Sequence, residues 1–415
     1  MIQDVTLKDI LTIIHRTINS VDKRLLNHGE QVAYIMLSLL KADGGYREEE
    51  IVRICTIAMF HDIGAYKVTE RDRLVEIDSV KPFHHAVYGS LFIKHFSPLS
   101  DLSNIILGHH FTAKYIERKN IKDNPKEALM LSLADHIAIV YLNKKLMGVD
   151  CLKKKEKYYL KENIDLFIEA DQRFNVVNNL NNNTYAEELY KYFDGRKVSR
   201  EEVIGYVKML TYAIDFRSEA TVKHTILVEA ISHELAILCG LNAQRVARIT
   251  IAATLHDIGK ITIPIEILEK PGKLTSEEFE IIKSHAINGY NILSDLNIDD
   301  IRDMAALHHE KLDGTGYPFG LTGDKLSTEV RIVAVADILS ALLGVRSYKN
   351  EFSKPKIIGI LKDMAENNKI DYEMVGIVIE NYDYIVRQAN EKCSEVMEIY
   401  ENIMKEYKIL LDKVS

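Results

Sequence analysis

The chain has 415 residues, 47% hydrophobic and 27% charged, with a formal net charge of −8. This is the balance of a soluble globular protein too long for one core, and ~150 residues per domain gives two or three domains. An acidic chain lacks the basic footprint of a nucleic-acid binder, and the sequence holds neither an 18-residue apolar run nor a signal-peptide layout.

Four cysteines (Cys55, Cys151, Cys239 and Cys393) form no CxxC pair. That fits reduced thiols and a cytoplasmic location. The chain has seven prolines and no tryptophan, and apolar residues recur at three- and four-residue steps nearly throughout. The expected fold class is all-α.

In chain order, amphipathic helices are expected over 7–20, 25–40 and 47–61, the last ending in His61-Asp62-Ile63-Gly64. A loop over roughly 65–80 leads to His84-His85-Ala86-Val87-Tyr88-Gly89. His109-His110 follow, and then a helix carrying Asp135. Breaks and polar clusters between about 150 and 200, including Lys153–Lys155 and Asn178–Asn183, mark the join. Ser199 with Glu202, and Thr275 with Glu278, have the spacing of capping boxes that start new helices. On the second of these helices Phe279, Ile282, Ala286, Tyr290 and Leu293 form an apolar stripe. His285 is expected to turn inward beside it.

The second half repeats the order of the first. His28, His61, His85, His109-His110 and Asp135 are answered by His224, His256, His285, His308-His309 and Asp337. From His28 to His61 is 33 residues, and from His224 to His256 is 32. Two copies of one helical domain follow, at 1–195 and 196–388, with a C-terminal helix at 389–415. That helix is expected to pack on its own domain. Its alternative is pairing with a second chain, a homodimer through helices.

Imidazole and carboxylate together suit divalent metals such as Fe, Mn, Zn and Ni. Neighbouring helical residues point about 100° apart, so His256-Asp257 and His308-His309 cannot serve one ion from one side. Doublets fit two metals, with one member for each ion or bridging both. His15, His84, His95, His136 and His233 have no counterpart in the other half and are read as ordinary surface or core histidines.

From Asp215 to Lys349 the second half resembles the HD-GYP phosphodiesterases, a branch of the HD-domain phosphohydrolases. The resemblance rests on His224, the box His256-Asp257-Ile258-Gly259-Lys260, His285, the run from His308 to Ser327 with Gly316-Tyr317-Pro318, and Arg331 to Asp337. The first half resembles a plain HD domain without the glycine-tyrosine-proline loop. The resemblance implies hydrolysis of a cyclic dinucleotide, cyclic di-GMP or 3′,3′-cyclic GMP-AMP, to its linear form.

It also implies two divalent ions on His224, His256, Asp257, His285, His308, His309 and Asp337, with Asp257 bridging. Lys260 is expected to neutralise phosphate oxygens, which with Asp257 makes the catalytic pair. Gly316, Tyr317, Pro318, Arg346 and Lys349 are the expected substrate contacts. The chain departs from the pattern at Ala220, Ser340 and Ser347, where the family often has glutamate, aspartate and proline. Ala220 favours two ions over three.

In the first half His28, His61, Asp62, His85, His109, His110 and Asp135 keep every ligand position as a second candidate site. Ala65 stands where Lys260 stands, so that copy is expected to regulate or support. A non-catalytic nucleotide or metal receptor, and a general phosphohydrolase of mononucleotides, are the alternative readings.

Overall fold

Thr6 starts the first helix of the chain by a reciprocal cap. The Asp9 carboxylate accepts from the Thr6 N–H at 2.9 Å, and the Thr6 hydroxyl accepts from the Asp9 N–H at 3.2 Å. Two amides that the first turn leaves unpaired are thereby satisfied. The structure is a computed structural model that describes residues 5–20, 27–66, 83–119, 122–142, 159–215, 219–268, 270, 272–344 and 352–414. Among these residues there are helices and short 3-10 turns and no β-strand. No helix among them is long and apolar enough to cross a membrane.

The chain divides into two compact units. The unit of Thr6–Val198 with Ile403–Ser415 contains α1 (Leu7–Asn19), α2 (His28–Asp43), α3 (Glu48–Met59), α4 (Phe83–Phe96), α5 (Ser103–Leu107), α6 (Ala113–Lys119), α7 (Pro125–Leu142), α8 (Lys161–Phe174), α9 (Val176–Asn181) and α10 (Tyr185–Phe193). Helix α2 is its centre and packs against α3, α7, α8 and α10. Val32, Ala33, Tyr34, Ile35, Met36, Leu39 and Leu40 along it are all buried. A helix apolar on every side is a core helix. The valine, isoleucine, methionine and leucine side chains among them each contribute about 1.5–3 kcal/mol on burial, which holds His28 at its first turn in place.

The other unit, Ser199–Asn402, contains α11 (Arg200–Asp215), α12 (Glu219–Leu238), α13 (Ala243–Leu255), α14 (Ile265–Leu268), α15 (Ser276–Leu293), α16 (Asp299–Ala306), α17 (Thr328–Leu343), α18 (Lys354–Glu366) and α19 (Tyr372–Glu380). Here α12 is the central helix and packs against α13 and α17. Both capping boxes form. Ser199 N–H donates to the Glu202 carboxylate at 2.7 Å and Glu202 N–H to the Ser199 hydroxyl at 3.1 Å. The Thr275–Glu278 pair does the same at 2.7 and 3.2 Å.

Three local expectations change. Residues 161–193, read as part of a broken join, are three helices, and α8 and α10 of them pack on α2. The asparagines at Asn175 and Asn183 take φ of 56°, a left-handed geometry that asparagine tolerates. They punctuate helices and do not dissolve them. Phe279 is 46% exposed and Ile282 and Tyr290 are half-buried, so the buried face of α15 is His285, Ala286, Gly289, Ile292 and Leu293. The last helix, α20 (Tyr382–Val414), starts before residue 389. Lys153–Lys155 lie outside the described residues.

From Ile403 onward α20 belongs with the first-described unit. Tyr407 stacks on Tyr88 at 3.9 Å between ring centroids and bonds His84 Nδ1 through its hydroxyl. Glu406 pairs with Lys94 at 2.7 Å. The Tyr115 hydroxyl and the Lys119 ammonium both donate to the Lys413 carbonyl.

Candidate metal centre and its loop

Helix α13 starts at Asn242, whose side chain accepts from the N–H groups of Gln244 and Arg245. It ends at His256, and a 3-10 turn, Ile258–Thr262, takes over. That change of winding sends Asp257 and Lys260 toward the same space as His256. Helix α12 brings His224, α15 brings His285, the turn after α16 brings His308 and His309, and α17 brings Asp337. Each donor arrives from a helix or from the turn closing one, so core packing sets its position.

The imidazoles are oriented one by one. Nδ1 of His256, His285 and His308 meets the carbonyl three residues earlier, Ala253, Ile282 and Ala305, at 2.7, 2.6 and 2.6 Å. A carbonyl only accepts, so Nδ1 carries a proton in each, and Nε2 of His285 and His308 turns a bare lone pair inward. His224 is held differently: its Nδ1 lies 3.0 Å from the Ser340 hydroxyl, which in turn contacts the His224 carbonyl at 3.3 Å.

All seven expected ligand positions converge. His224, His256 and Asp257 offer donor atoms within 4.8 Å of one another, and so do His285, His308 and His309. Asp257 joins the two sets. Its Oδ2 lies 3.1 Å from His256 Nε2 and 3.7 Å from His224 Nε2, and its Oδ1 lies 3.5 Å from His285 Nε2. Asp337 spans them as well, with Oδ1 3.2 Å from His224 Nε2 and Oδ2 3.6 Å from His309 Nδ1. Nε2 of His285 and of His308 is buried with no hydrogen-bond partner. Buried unpaired acceptors are costly, and a divalent ion would satisfy them, so the donor set fits a metal.

Charge in the cluster is polarised. Burial, followed by the neighbouring His309, pushes His308 well below the ordinary imidazole value, and burial carries His309 down to about 3. Both are neutral, as metal ligation requires. Burial opposes the charge on Asp257, yet His256 and Lys260 outweigh it and hold the carboxyl well below the usual range. Burial likewise opposes the Lys260 cation, and Asp257 overcomes it and raises its pKa. Lys260 Nζ bonds Asp257 Oδ2.

The stretch from Asp313 to Pro318 folds back on the histidine doublet. The Tyr317 N–H donates to the His309 carbonyl at 3.3 Å, and the Tyr317 ring sits 4.7 Å from the His309 ring. Gly314 turns with φ of 78°, while a Cβ on Gly316 would come within 2.4 Å of Glu310 Cα. One glycine is needed for its dihedral and the other for its lack of a side chain. Lys283 Nζ lies over the Tyr317 ring at 5.7 Å. Pro318 follows in the same loop. Arg346 and Lys349 lie outside the described residues.

The first unit holds a parallel cluster. His28 Nε2 lies 3.0 Å from Asp135 Oδ1, His61 Nε2 3.3 Å from Asp62 Oδ2, and His85 Nε2 3.5 Å from Asp62 Oδ1. Two three-residue sets form, His28 with His61 and Asp135, and His85 with His109 and His110. His61 and His109 again send Nδ1 to a carbonyl three residues back, and His61 Nε2 is buried without a hydrogen-bond partner. Asp62 again turns one oxygen to each set. What differs is the surround. Ala65 is buried where the other unit has Lys260. Phe111 follows the doublet and packs against Tyr115 and Phe83 with centroids at 4.5 and 6.0 Å.

Two residues of the second unit escape motif reading. Ser340 orients His224 from one helical turn past Asp337, and that spacing was the only signal in the sequence. Asp215 accepts a hydrogen bond from the Thr225 hydroxyl at 2.7 Å. Burial, with Asp257 nearby, pushes its carboxyl up to about 6.

Residues 208–374 and residues 25–139 each match an HD domain family. The chain is 26% identical over 408 residues to the 3′3′-cGAMP-specific phosphodiesterase 1 of Vibrio cholerae, covering 91% of this chain and 92% of that protein. It is 40% identical over 158 residues to the cyclic di-GMP phosphodiesterase response regulator RpfG of Xanthomonas campestris, and 43% identical over 152 residues to a cyclic di-GMP phosphodiesterase of Thermotoga maritima. Those matches cover 37% and 36% of this chain, and 41% and 40% of the relatives. A crystal structure of a cyclic GMP-AMP specific phosphodiesterase of V. cholerae, V-cGAP3, superposes with a TM-score of 0.54 at 16% identity. It covers 91% of this chain and 98% of that one.

Proposed function

From the premise that this chain carries two HD domains and is homologous to the cyclic-dinucleotide phosphodiesterases, we propose that it is a metal-dependent phosphodiesterase. It opens a cyclic dinucleotide, cyclic di-GMP or 3′,3′-cyclic GMP-AMP, to the linear form, and the work is done in the second HD domain. One observation carries the reading. Asp257 sets one oxygen toward each histidine set, and Lys260 and Tyr317 border the same cluster.

His224, His256, Asp257 and Asp337 would hold one divalent ion, and Asp257, His285, His308 and His309 the other. Two such ions supply a water of lowered pKa and withdraw charge from a phosphoryl group. The residues of the chain do the rest. The i−3 carbonyls and Ser340 keep the imidazoles in the ligating tautomer. Asp257 and Lys260 form a charged pair beside the cluster, and Lys260 meets the negative charge that grows on the phosphate oxygens. Tyr317 offers a flat face to a base. The sites imply Fe, Mn, Zn or Ni, since His-rich sets with carboxylates accept each of them.

In the first HD domain we place a metal-binding site without hydrolysis of its own. Its donors match those of the second, but Ala65 leaves the phosphate charge unanswered, and Phe111 with Tyr115 fills the side where the other domain has its loop.

The test is direct. The Mn- or Fe-loaded protein is mixed with cyclic di-GMP, 3′,3′-cyclic GMP-AMP and ordinary nucleotides, beside Asp257→Ala and Asp62→Ala variants, and products are separated by chromatography. Linear dinucleotide from wild type and none from Asp257→Ala is the expected result. Silence of wild type with every cyclic dinucleotide and metal overturns the assignment, and loss of activity in Asp62→Ala alone moves it to the first domain.

A further inference from the structure

Glu310 directly follows the ligand His309, and only 2% of it is exposed. Its carboxylate makes no ion pair among the described residues. It is spent on the backbone of the loop instead. Oε1 accepts from the N–H of Phe319 at 2.7 Å and of Gly320 at 3.1 Å, and Oε2 accepts from Leu321 at 2.9 Å. Three charge-assisted bonds converge on one buried carboxylate from three consecutive amides, directly after Tyr317-Pro318. Gly316 lies against the Glu310 backbone where any side chain would collide. Tyr317 is tied to the His309 carbonyl on the other side.

We infer that Glu310 is a positioning residue that joins the metal ligands and the substrate wall into one rigid body. This rests on the functional reading above. The carboxylate is not among the candidate metal donors. It acts through Tyr317, whose ring it fixes beside His309 by anchoring the three residues after Pro318. Without the anchor the loop keeps its ties at either side of residues 318–321: the Tyr317 N–H to the His309 carbonyl, the Gly323 N–H to the Leu312 carbonyl at 3.0 Å, and Lys369, whose ammonium bonds Asp313 and Thr315 at 2.5 and 2.9 Å. The order cost of placing the loop would then be met on each binding event, which weakens substrate binding.

The first HD domain is the internal contrast. Phe111 stands directly after its His109-His110 doublet and has no group to gather backbone amides. There the chain runs straight into α6 (Ala113–Lys119), with Phe111 buried against Phe83 and Tyr115. One residue after each doublet, carboxylate or phenyl, separates a returning loop from a helix.

The test uses the full-length, metal-loaded protein with Glu310→Gln and Glu310→Ala. Three quantities are read: bound metal by elemental analysis, amide hydrogen exchange over residues 311–327, and KM against kcat for the cyclic dinucleotide that wild type hydrolyses. Gln keeps one accepting oxygen and gives up the other. We expect wild-type metal content in both, exchange in 311–327 faster by about tenfold or more, and KM raised by about tenfold or more in Ala and less in Gln. The change in kcat stays within about threefold.

Unchanged exchange overturns the inference, as does faster exchange with an unchanged KM. Loss of metal in step with activity also overturns it, because Glu310 would then be supporting the ligands. If Glu310→Ala does not fold, Glu310→Gln decides alone. If wild type hydrolyses no cyclic dinucleotide, the functional reading fails, and the exchange measurement still decides whether Glu310 holds the loop.

Discussion

Gly259 lies against His285 so closely that a Cβ on the glycine would come within 2.0 Å of the His285 carbonyl oxygen. The same construction stands in the first HD domain, where a Cβ on Gly64 would meet the His85 carbonyl at 2.1 Å. The glycine of each His-Asp-Ile-Gly box is therefore a contact surface for the helix that carries the next candidate ligand. Gly259→Ala should push α15 outward and carry His285 with it. We expect a loss of about 1–3 kcal/mol in stability and, since a shift near 1 Å in a catalytic group is worth about 100-fold, at least that loss in rate. Thermal unfolding and metal content check it; a variant with wild-type metal and activity would show that α15 yields without moving His285.

Lys260 and Asp257 form a buried pair, and the two states of the protein separate its roles. In the metal-loaded protein bound metal would also offset the charge of Asp257, so Lys260→Met should keep its metal and lose about 10²–10³ in kcat, the worth of one group that meets transition-state charge. In the metal-stripped protein the same change leaves Asp257 with less compensation. Breaking a buried pair from one side costs about 3–5 kcal/mol. Denaturant titrations with and without metal should therefore diverge more for Lys260→Met than for wild type. Equal divergence would place Lys260 outside the pair.

The histidine and aspartate positions of both candidate sites were legible because the chemistry repeats. Two copies of a His, His-Asp, His, His-His, Asp order at matched intervals name the positions before any fold is known, and the structure gathers both sets. The central placement of α2 and α12 was not legible. Periodicity reports which face of a helix is apolar, and these are buried along most of their length rather than on one face, so their partners are decided by packing across the domain. Ser340 looked like a departure from a pattern and is the hydrogen-bond partner of His224, a role visible only once α12 and α17 lie side by side. Glu310 sat inside a recognised motif, but nothing local says that its carboxylate faces Phe319, Gly320 and Leu321. Asn175 and Asn183 misled for a different reason: asparagine marks both loops and left-handed helix ends, and only the backbone tells them apart.

His15 on α1 sets a pH dependence for the first HD domain. Burial, aided by Arg16 and opposed by Asn27, pushes its imidazole down to about 4. The unfolded chain takes up a proton near pH 6.5 and the folded one resists it. The stabilisation is therefore complete above pH 6.5 and is lost as pH falls from 6.5 toward 4, by about 3 kcal/mol in total. His15→Gln should flatten that part of the pH profile of urea unfolding relative to wild type. A wild-type profile already flat across this window would mean that the imidazole is protonated in the fold.

Tyr407, near the end of α20, is held by the Tyr88 ring at 3.9 Å with 16° between ring planes, and by His84. His84 and Tyr88 flank the candidate ligand His85 on α4, so the helix end packs on the element that carries it. Removing an aromatic side chain from such a contact costs about 3–5 kcal/mol, and the stacking adds about 0.5–1.5 kcal/mol to area burial alone. Tyr407→Ala should therefore lower the stability of the first domain and speed amide exchange in α4 around Tyr88. Tyr407→Phe keeps the stack and removes the hydroxyl, so it should lose about 0.5–1.5 kcal/mol, the net worth of one hydrogen bond. Hydrogen exchange resolved by peptide distinguishes the two. Equal exchange in α4 for Tyr407→Ala and wild type would show that residues 403–414 lend the first domain no stability.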